Sequence, residues 1–172
     1  LFRSTRQRGK SLAPFDSLNL GTHVGDELSC VKQNRQIIHE QLNLPVRPAW
    51  LEQTHSIEIV DADNSQVHHA DASYCNSSRQ VCVVMTADCL PVLLCDVEGT
   101  EVAAVHAGWR GLCDGIIEAA VNKFNHSPTE LIAYLGPAIG PSAFEVGVEV
   151  KLQFEAKHPQ ATSCFKQTSL QL

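Results

Sequence analysis

The sequence predicts an α+β fold on three observations. Its strands are short and of mixed character, its helical stripes stand apart from them instead of alternating strictly, and one strand runs through a glycine-flanked loop into a helix. A chain of 172 residues fits one domain, and at this size folding buries roughly 70% of the surface that the unfolded chain exposes. With 44% hydrophobic and 19% charged residues, neither disorder nor a fibrous repeat is indicated. No linker, repeat or low-complexity stretch divides the sequence.

Taken in order, Val31, Ile37, Ile38 and Leu42 carry loosely helical spacing over Ser29 to Leu42, and Asn43 and Pro45 end that first helix. Ala49 to Leu51 and Ile57 to Val60 read as short strands on either side of Glu52-Gln53-Thr54-His55, followed by a polar loop from Asp61 to Arg79. Val81 to Met85 is continuously apolar and predicts a strand buried on both faces. Pro91 to Cys95 and Glu101 to Val105 give two more strands around a Glu98-Gly99 turn. Ile116, Ile117, Ala120, Val121 and Phe124 form one stripe of a helix over Leu112 to Phe124. Leu131 to Leu135 is a further strand, Gly136 to Pro141 a rigid loop, and Val148 to Ala156 a second amphipathic helix.

The formal net charge of -6 argues against a nucleic-acid partner, because phosphate backbones are gripped by basic faces. Arg3, Arg6, Arg8 and Lys10 form the one basic run, read as a solvated edge in preference to a phosphate-facing one. Seven cysteines, scattered, without a CxxC pair and with no secretory leader before them, imply a reduced, cytoplasmic setting. No apolar run approaches the roughly 20 residues of a membrane helix, so no membrane partner is expected.

Cys89, His106 and His55 fall at strand boundaries, where side chains leave the packed core and converge on one sheet edge. A thiolate and two imidazoles suit zinc with a fourth position open, which points to catalysis. The same Cys89 and His106 also suit a nucleophile and its base, and the spacing does not separate the two. A buried Cys and a hydrogen-bonded core His are the structural alternatives. Asp88 reads either as a carboxylate that orients an imidazole or as a turn former. Arg110, in Gly108-Trp109-Arg110-Gly111 before a helix, is placed to hold an anion such as phosphate or to stack on Trp109. The other histidines (23, 39, 68, 69, 126 and 158) form no His-x-His pairs, so a trinuclear copper centre is not supported.

Five stretches occur in order along the chain: Ser17 to Asp26 (SLNLGTHVGD), Trp50 to His55 (WLEQTH), Thr86 to Pro91 (TADCLP), His106 to Gly111 (HAGWRG) and Leu135 to Pro141 (LGPAIGP). Together they resemble the family named both polyphenol oxidase (laccase domain) and purine nucleoside phosphorylase, the bacterial YfiH family. The resemblance implies a layered α/β/β/α sandwich with mixed sheets, similar to the catalytic domain of the cytotoxic necrotizing factor. It implies zinc, with copper as the other metal, on His55, Cys89 and His106. Catalysis then falls to Cys89, His106 and Asp88, and substrate or phosphate binding to Arg110 and Asn19. The implied reactions are phosphorolysis of adenosine, inosine and methylthioadenosine, together with adenosine deamination. The implied partners are purine nucleosides and phosphate, in a monomer or weak homo-oligomer. The family usually continues for several tens of residues beyond Leu172, so residues 1–172 are expected to be a single catalytic domain without its C-terminal part.

Three other readings remain open at the level of sequence. A cysteine hydrolase or amidase would use Cys89 and His106, a copper polyphenol oxidase rests on the family name, and a non-enzymatic metal-binding domain would use the metal only to stiffen the rim.

Overall fold

The computed structural model describes residues 3–167, and the chain end at Ser169 to Leu172 lies outside them. It divides into two compact units, Leu1–Ala138 and Ile139–Leu172. In the first unit the elements are α1 (Leu28–Gln41), β1 (Leu51–Glu52), β2 (Ile59–Asp61), β3 (His68–His69), β4 (Ala72–Cys75), β5 (Leu90–Asp96), β6 (Val102–Ala107), α2 (Trp109–Asp114), α3 (Ile116–Val121) and β7 (Leu131–Leu135). The second unit holds α4 (Val148–Lys157) and a 3-10 turn over Pro159–Cys164.

Five strands form one sheet in the order β2-β4-β6-β5-β7, with β2 parallel to β4 and the other pairs antiparallel; β1 and β3 make a separate parallel pair. The expected α+β class with mixed sheets is therefore what the chain adopts. β5 and β6 sit centrally because Val92, Leu94, Ala103 and Val105 are buried on their helix-facing side. Ile116, Ala120 and Phe124 from the α2–α3 segment complete that core, so the helical stripe read from the sequence is the packing face. Burial of each such side chain contributes about 1.5–3 kcal/mol.

Three expectations need correction. The helix predicted over 112–124 is two short helices, because Gly115 takes a left-handed conformation at φ 101°, closing α2 and opening α3. The stretch 61–79 is no plain polar loop. It contains β3 and β4, and β4 is buried along its whole length because Ala72 and Ser73 are small enough for close approach from both sides. Val81 to Met85 is half-buried and has no ladder: one parallel bridge joins Cys82 to Ala49, and the Gln53 side-chain amide replaces a strand by bonding both the N–H and the C=O of Met85 at 2.8 Å.

The β5–β6 hairpin is tied by carboxylates. Asp96 accepts from the backbone N–H of Glu101 at 2.6 Å and from the Thr100 hydroxyl at 3.0 Å. Glu101, only 3% exposed, accepts from the Tyr74 hydroxyl, the Asn125 backbone at 3.1 Å and His126 Nδ1 at 2.8 Å. Burial alone would raise the Glu101 carboxyl, but the bonds from His126, Tyr74 and Asn125 win and hold it at about 2. The Glu101 bond in turn raises His126, helped by the charges of Asp96 and Glu98.

Glu101 therefore contributes stability that is full above the ordinary carboxyl pKa of about 4.3 and is lost as pH falls toward 2. His126 contributes stability that is full below about 6.5 and is lost as pH rises through its raised folded pKa. Denaturant midpoints measured against pH are expected to fall on both sides of a plateau. Glu101→Gln flattens the acid limb and His126→Asn the alkaline one; unchanged limbs in both variants would refute this account.

Candidate metal centre

His55, Cys89 and His106 do meet, and their ligand atoms all lie within 4.8 Å of one another. Three different pieces of backbone bring them there. His106 sits in β6 opposite Pro91 and is 4% exposed. Cys89 immediately precedes β5, the neighbouring strand. His55 lies in the loop between β1 and β2 with φ 62°, a left-handed conformation that costs a non-glycine residue roughly 1–3 kcal/mol. Cys89 Sγ stands 3.9 Å from His55 Nε2, and the two imidazoles meet edge-to-face at 4.9 Å between ring centroids.

The strain at His55 is held by a residue that sequence reasoning missed. Asp71, fully buried at the entrance to β4, accepts from the backbone N–H groups of Thr54 at 3.1 Å, His55 at 3.0 Å and Ser56 at 2.6 Å, and from the Ser56 hydroxyl at 2.8 Å. Its Oδ1 also meets His106 Nδ1 at 2.8 Å. One carboxylate thus fixes the loop carrying the first imidazole and the orientation of the second. With Nδ1 of His106 committed to Asp71, Nε2 is left to face the centre, the arrangement in which outer carboxylates prepare metal-binding histidines. The Asp71 carboxyl stays below the ordinary range although burial opposes it, because His106, Ser56 and Thr54 all stabilise the charged form.

Gly108 completes the cradle. A Cβ there would stand 2.6 Å from His55 Cδ2, 3.3 Å from Cys89 Sγ and 3.4 Å from His106 Cε1, so the three ligands close over the backbone where a side chain would otherwise be. Burial, then the charges of Asp88 and Asp71, push the Cys89 thiol upward. The two nearby carboxylates disfavour a free thiolate and favour an added cation. The donor set, its spacing and this charge balance fit a single zinc or copper ion. Among the described residues no second cluster of histidine and cysteine ligands accompanies it.

The other residues singled out from sequence lie as follows. Asp88 is exposed beside Cys89 and acts on it through charge. Arg110 is exposed, with its guanidinium centre 4.3 Å above the Trp109 ring. Asn19 braces its own loop, donating to Gly21 O at 3.2 Å and Asp26 Oδ2 at 2.9 Å and accepting from the Gly21 N–H at 3.0 Å.

The family model described as multi-copper polyphenol oxidoreductase laccase matches residues 1–171. The chain belongs to this family. A relative from Shigella flexneri named purine nucleoside phosphorylase YfiH is 52% identical over 166 residues, covering 95% of this chain and 68% of that protein. A purine nucleoside phosphorylase of Haemophilus influenzae is 50% identical over 171 residues, covering 99% and 70%. Among solved structures, a Neisseria meningitidis protein superposes with TM-score 0.92 at 46% identity, covering 97% of this chain and 69% of that one. YlmD from Geobacillus stearothermophilus gives 0.78 at 30% identity, covering 87% and 62%. The chain thus spans about two thirds of the length of these relatives, and no described helix is long and apolar enough to cross a membrane.

Proposed function

We propose that the chain is the catalytic domain of a zinc-dependent purine nucleoside phosphorylase that also deaminates adenosine. The observation that carries this reading is the convergence of His55, Cys89 and His106 over Gly108, in a chain half identical to proteins named purine nucleoside phosphorylase.

Bound zinc would supply a Lewis acid and a water acidified toward neutrality, the chemistry that deamination of a purine needs. The chain's own residues do the rest. Asp71 holds His106 in one tautomer and keeps the His55 loop from relaxing. Cys89 serves first as ligand; burial and the charges of Asp88 and Asp71 raise its thiol and disfavour a free thiolate nucleophile, which ranks the hydrolase reading second. Arg110, stacked on Trp109, keeps its guanidinium edge available for the phosphate that attacks the anomeric carbon as the base departs. Asn19 shapes the 17–26 loop as a second substrate-side element, and Asp88 adds charge beside the ligands.

The test is incubation of the zinc-loaded chain with inosine and inorganic phosphate, with hypoxanthine and ribose 1-phosphate as readouts. Both are expected to appear and to require phosphate; absence of hypoxanthine from a zinc-replete sample sinks the phosphorylase reading. Cys89→Ala is expected to lose stoichiometric zinc, measured by elemental analysis, and retention would remove Cys89 as a principal ligand. Arg110→Ala should keep its zinc and raise the KM for phosphate about tenfold or more, the scale of a charge-assisted contact. A two-histidine, one-cysteine set also suits copper. Phenol oxidation that tracks stoichiometric bound copper, without phosphorolysis, would put the oxidase in its place.

A further inference from the structure

Outside that centre, a second pair of reactive groups stands together. Cys75 ends β4, opposite Val102 of β6, and Cys82 directs its thiol at the Val102 carbonyl, 3.9 Å away. Both thiols lie in a small apolar cluster with Ala49, Ala62 and Val102, so Val102 brings the two cysteines to one place. Four residues of strand, about 13 Å at the usual rise, separate Cys75 from Asp71 and the metal centre. We propose that Cys75 and Cys82 are a reversible dithiol–disulfide site that reacts with small hydroperoxides.

Access comes from a cavity of about 310 Å³, whose wall includes Cys75, Asp61, Tyr74, Asn76 and Gln80. Gln80 Oε1 is buried at this wall without a hydrogen-bond partner. A buried acceptor left unpaired calls for an explanation, and the O–H of a hydroperoxide supplies the missing donor. The pair is also asymmetric. The neighbouring Cys82 holds the Cys75 thiol below the ordinary range, while Cys82 is pushed up by Cys75 and by burial and remains the protonated partner.

The chemistry balances on the two thiols and one hydroperoxide. The Cys75 thiolate attacks one peroxide oxygen, forming an S–O bond as the O–O bond breaks, and the departing alkoxide or hydroxide takes a proton. The sulfur of Cys82 then attacks Cys75, losing its proton, and the S–O bond breaks to release water. Two thiols are oxidised to one disulfide while the hydroperoxide is reduced to an alcohol or water, with a further water formed. A thiol reductant reverses the link by exchange, as expected of a bond made in a reducing compartment.

The experiment uses the whole zinc-loaded chain, treated with one equivalent of hydrogen peroxide, then unfolded, alkylated and digested for mass spectrometry. A linked 75–82 peptide, lighter by two hydrogens and restored by dithiothreitol, is expected before the exposed Cys164 is consumed. Cys82→Ser should instead leave a sulfenic acid at Cys75, trapped by dimedone. The proposal is overturned if both thiols remain alkylatable once Cys164 is fully oxidised, or if the link forms only in denaturant. These readouts are independent of nucleoside turnover.

Discussion

Replacing Asp71 with alanine is expected to destabilise the chain by roughly 3–5 kcal/mol, the scale for removing one partner from a buried, hydrogen-bonded charge network. The carboxylate has no exposed surface and is shared by three backbone N–H groups, the Ser56 hydroxyl and His106 Nδ1. Its loss leaves several buried donors without partners, and each such group costs about 1–3 kcal/mol. It also frees His55 to leave its left-handed conformation. A domain of this size is stable by only about 5–15 kcal/mol, so the variant should be near the edge of folding. The measurement is the denaturant midpoint of Asp71→Ala in the presence of chelator, which separates the fold from the metal. An unfolding free energy within about 0.5 kcal/mol of the parent, the scale of an ordinary surface change, would show that Asp71 is dispensable. Asp71→Asn keeps the volume and one acceptor oxygen but turns an amide N–H₂ toward donors, so an intermediate loss is expected.

What the sequence made legible follows from where hydrophobicity alone decides. β7 appears at the predicted Leu131–Leu135 because an apolar run is bounded by hard punctuation, Gly136-Pro137 on one side and the Ser127-Pro128 cap on the other. α1 is within one residue of its expected span for the same reason, an apolar stripe ended at Asn43 and Pro45. β4 was hidden because Ala72, Ser73 and their neighbours are buried by smallness, which no hydrophobic period reports. The break at Gly115 was hidden because the apolar stripe continues across it.

At the centre, the three ligands were legible as Cys and His at strand boundaries. Their support was not: Asp71 lies 35 residues from His106 and 16 from His55, so only the pairing of β4 with β6 on one side and with β2 on the other makes them neighbours. The available signal was a single carboxylate among the small residues Ala70, Ala72 and Ser73, a position that polarity alone assigns to a loop.

Gly108→Ala is expected to weaken metal binding by about a hundredfold while leaving the fold intact, as when groups that orient metal ligands are disturbed. The backbone does not require glycine here, since φ is -62° and ψ is 156°, a conformation open to any residue. What forbids a side chain is the ligand cluster itself, because the new methyl would sit 2.6 Å from His55 Cδ2. Relief has to come from a histidine that cannot yield easily: His55 is fixed at φ 62° by its N–H bond to Asp71, and its ring is flanked by Cys89 and His106. Rotating the ring away removes one ligand, whereas shifting the β6–α2 junction would disturb the buried Gly111, whose own Cβ position is 2.8 Å from Ser56 O. The first route is the less costly, so the steric cost falls on the metal site and not on the core. Metal affinity measured beside a denaturation curve in chelator separates the two. Unchanged affinity in Gly108→Ala would place the ion away from these three side chains, and an equal loss of metal-free stability would make Gly108 a packing residue instead.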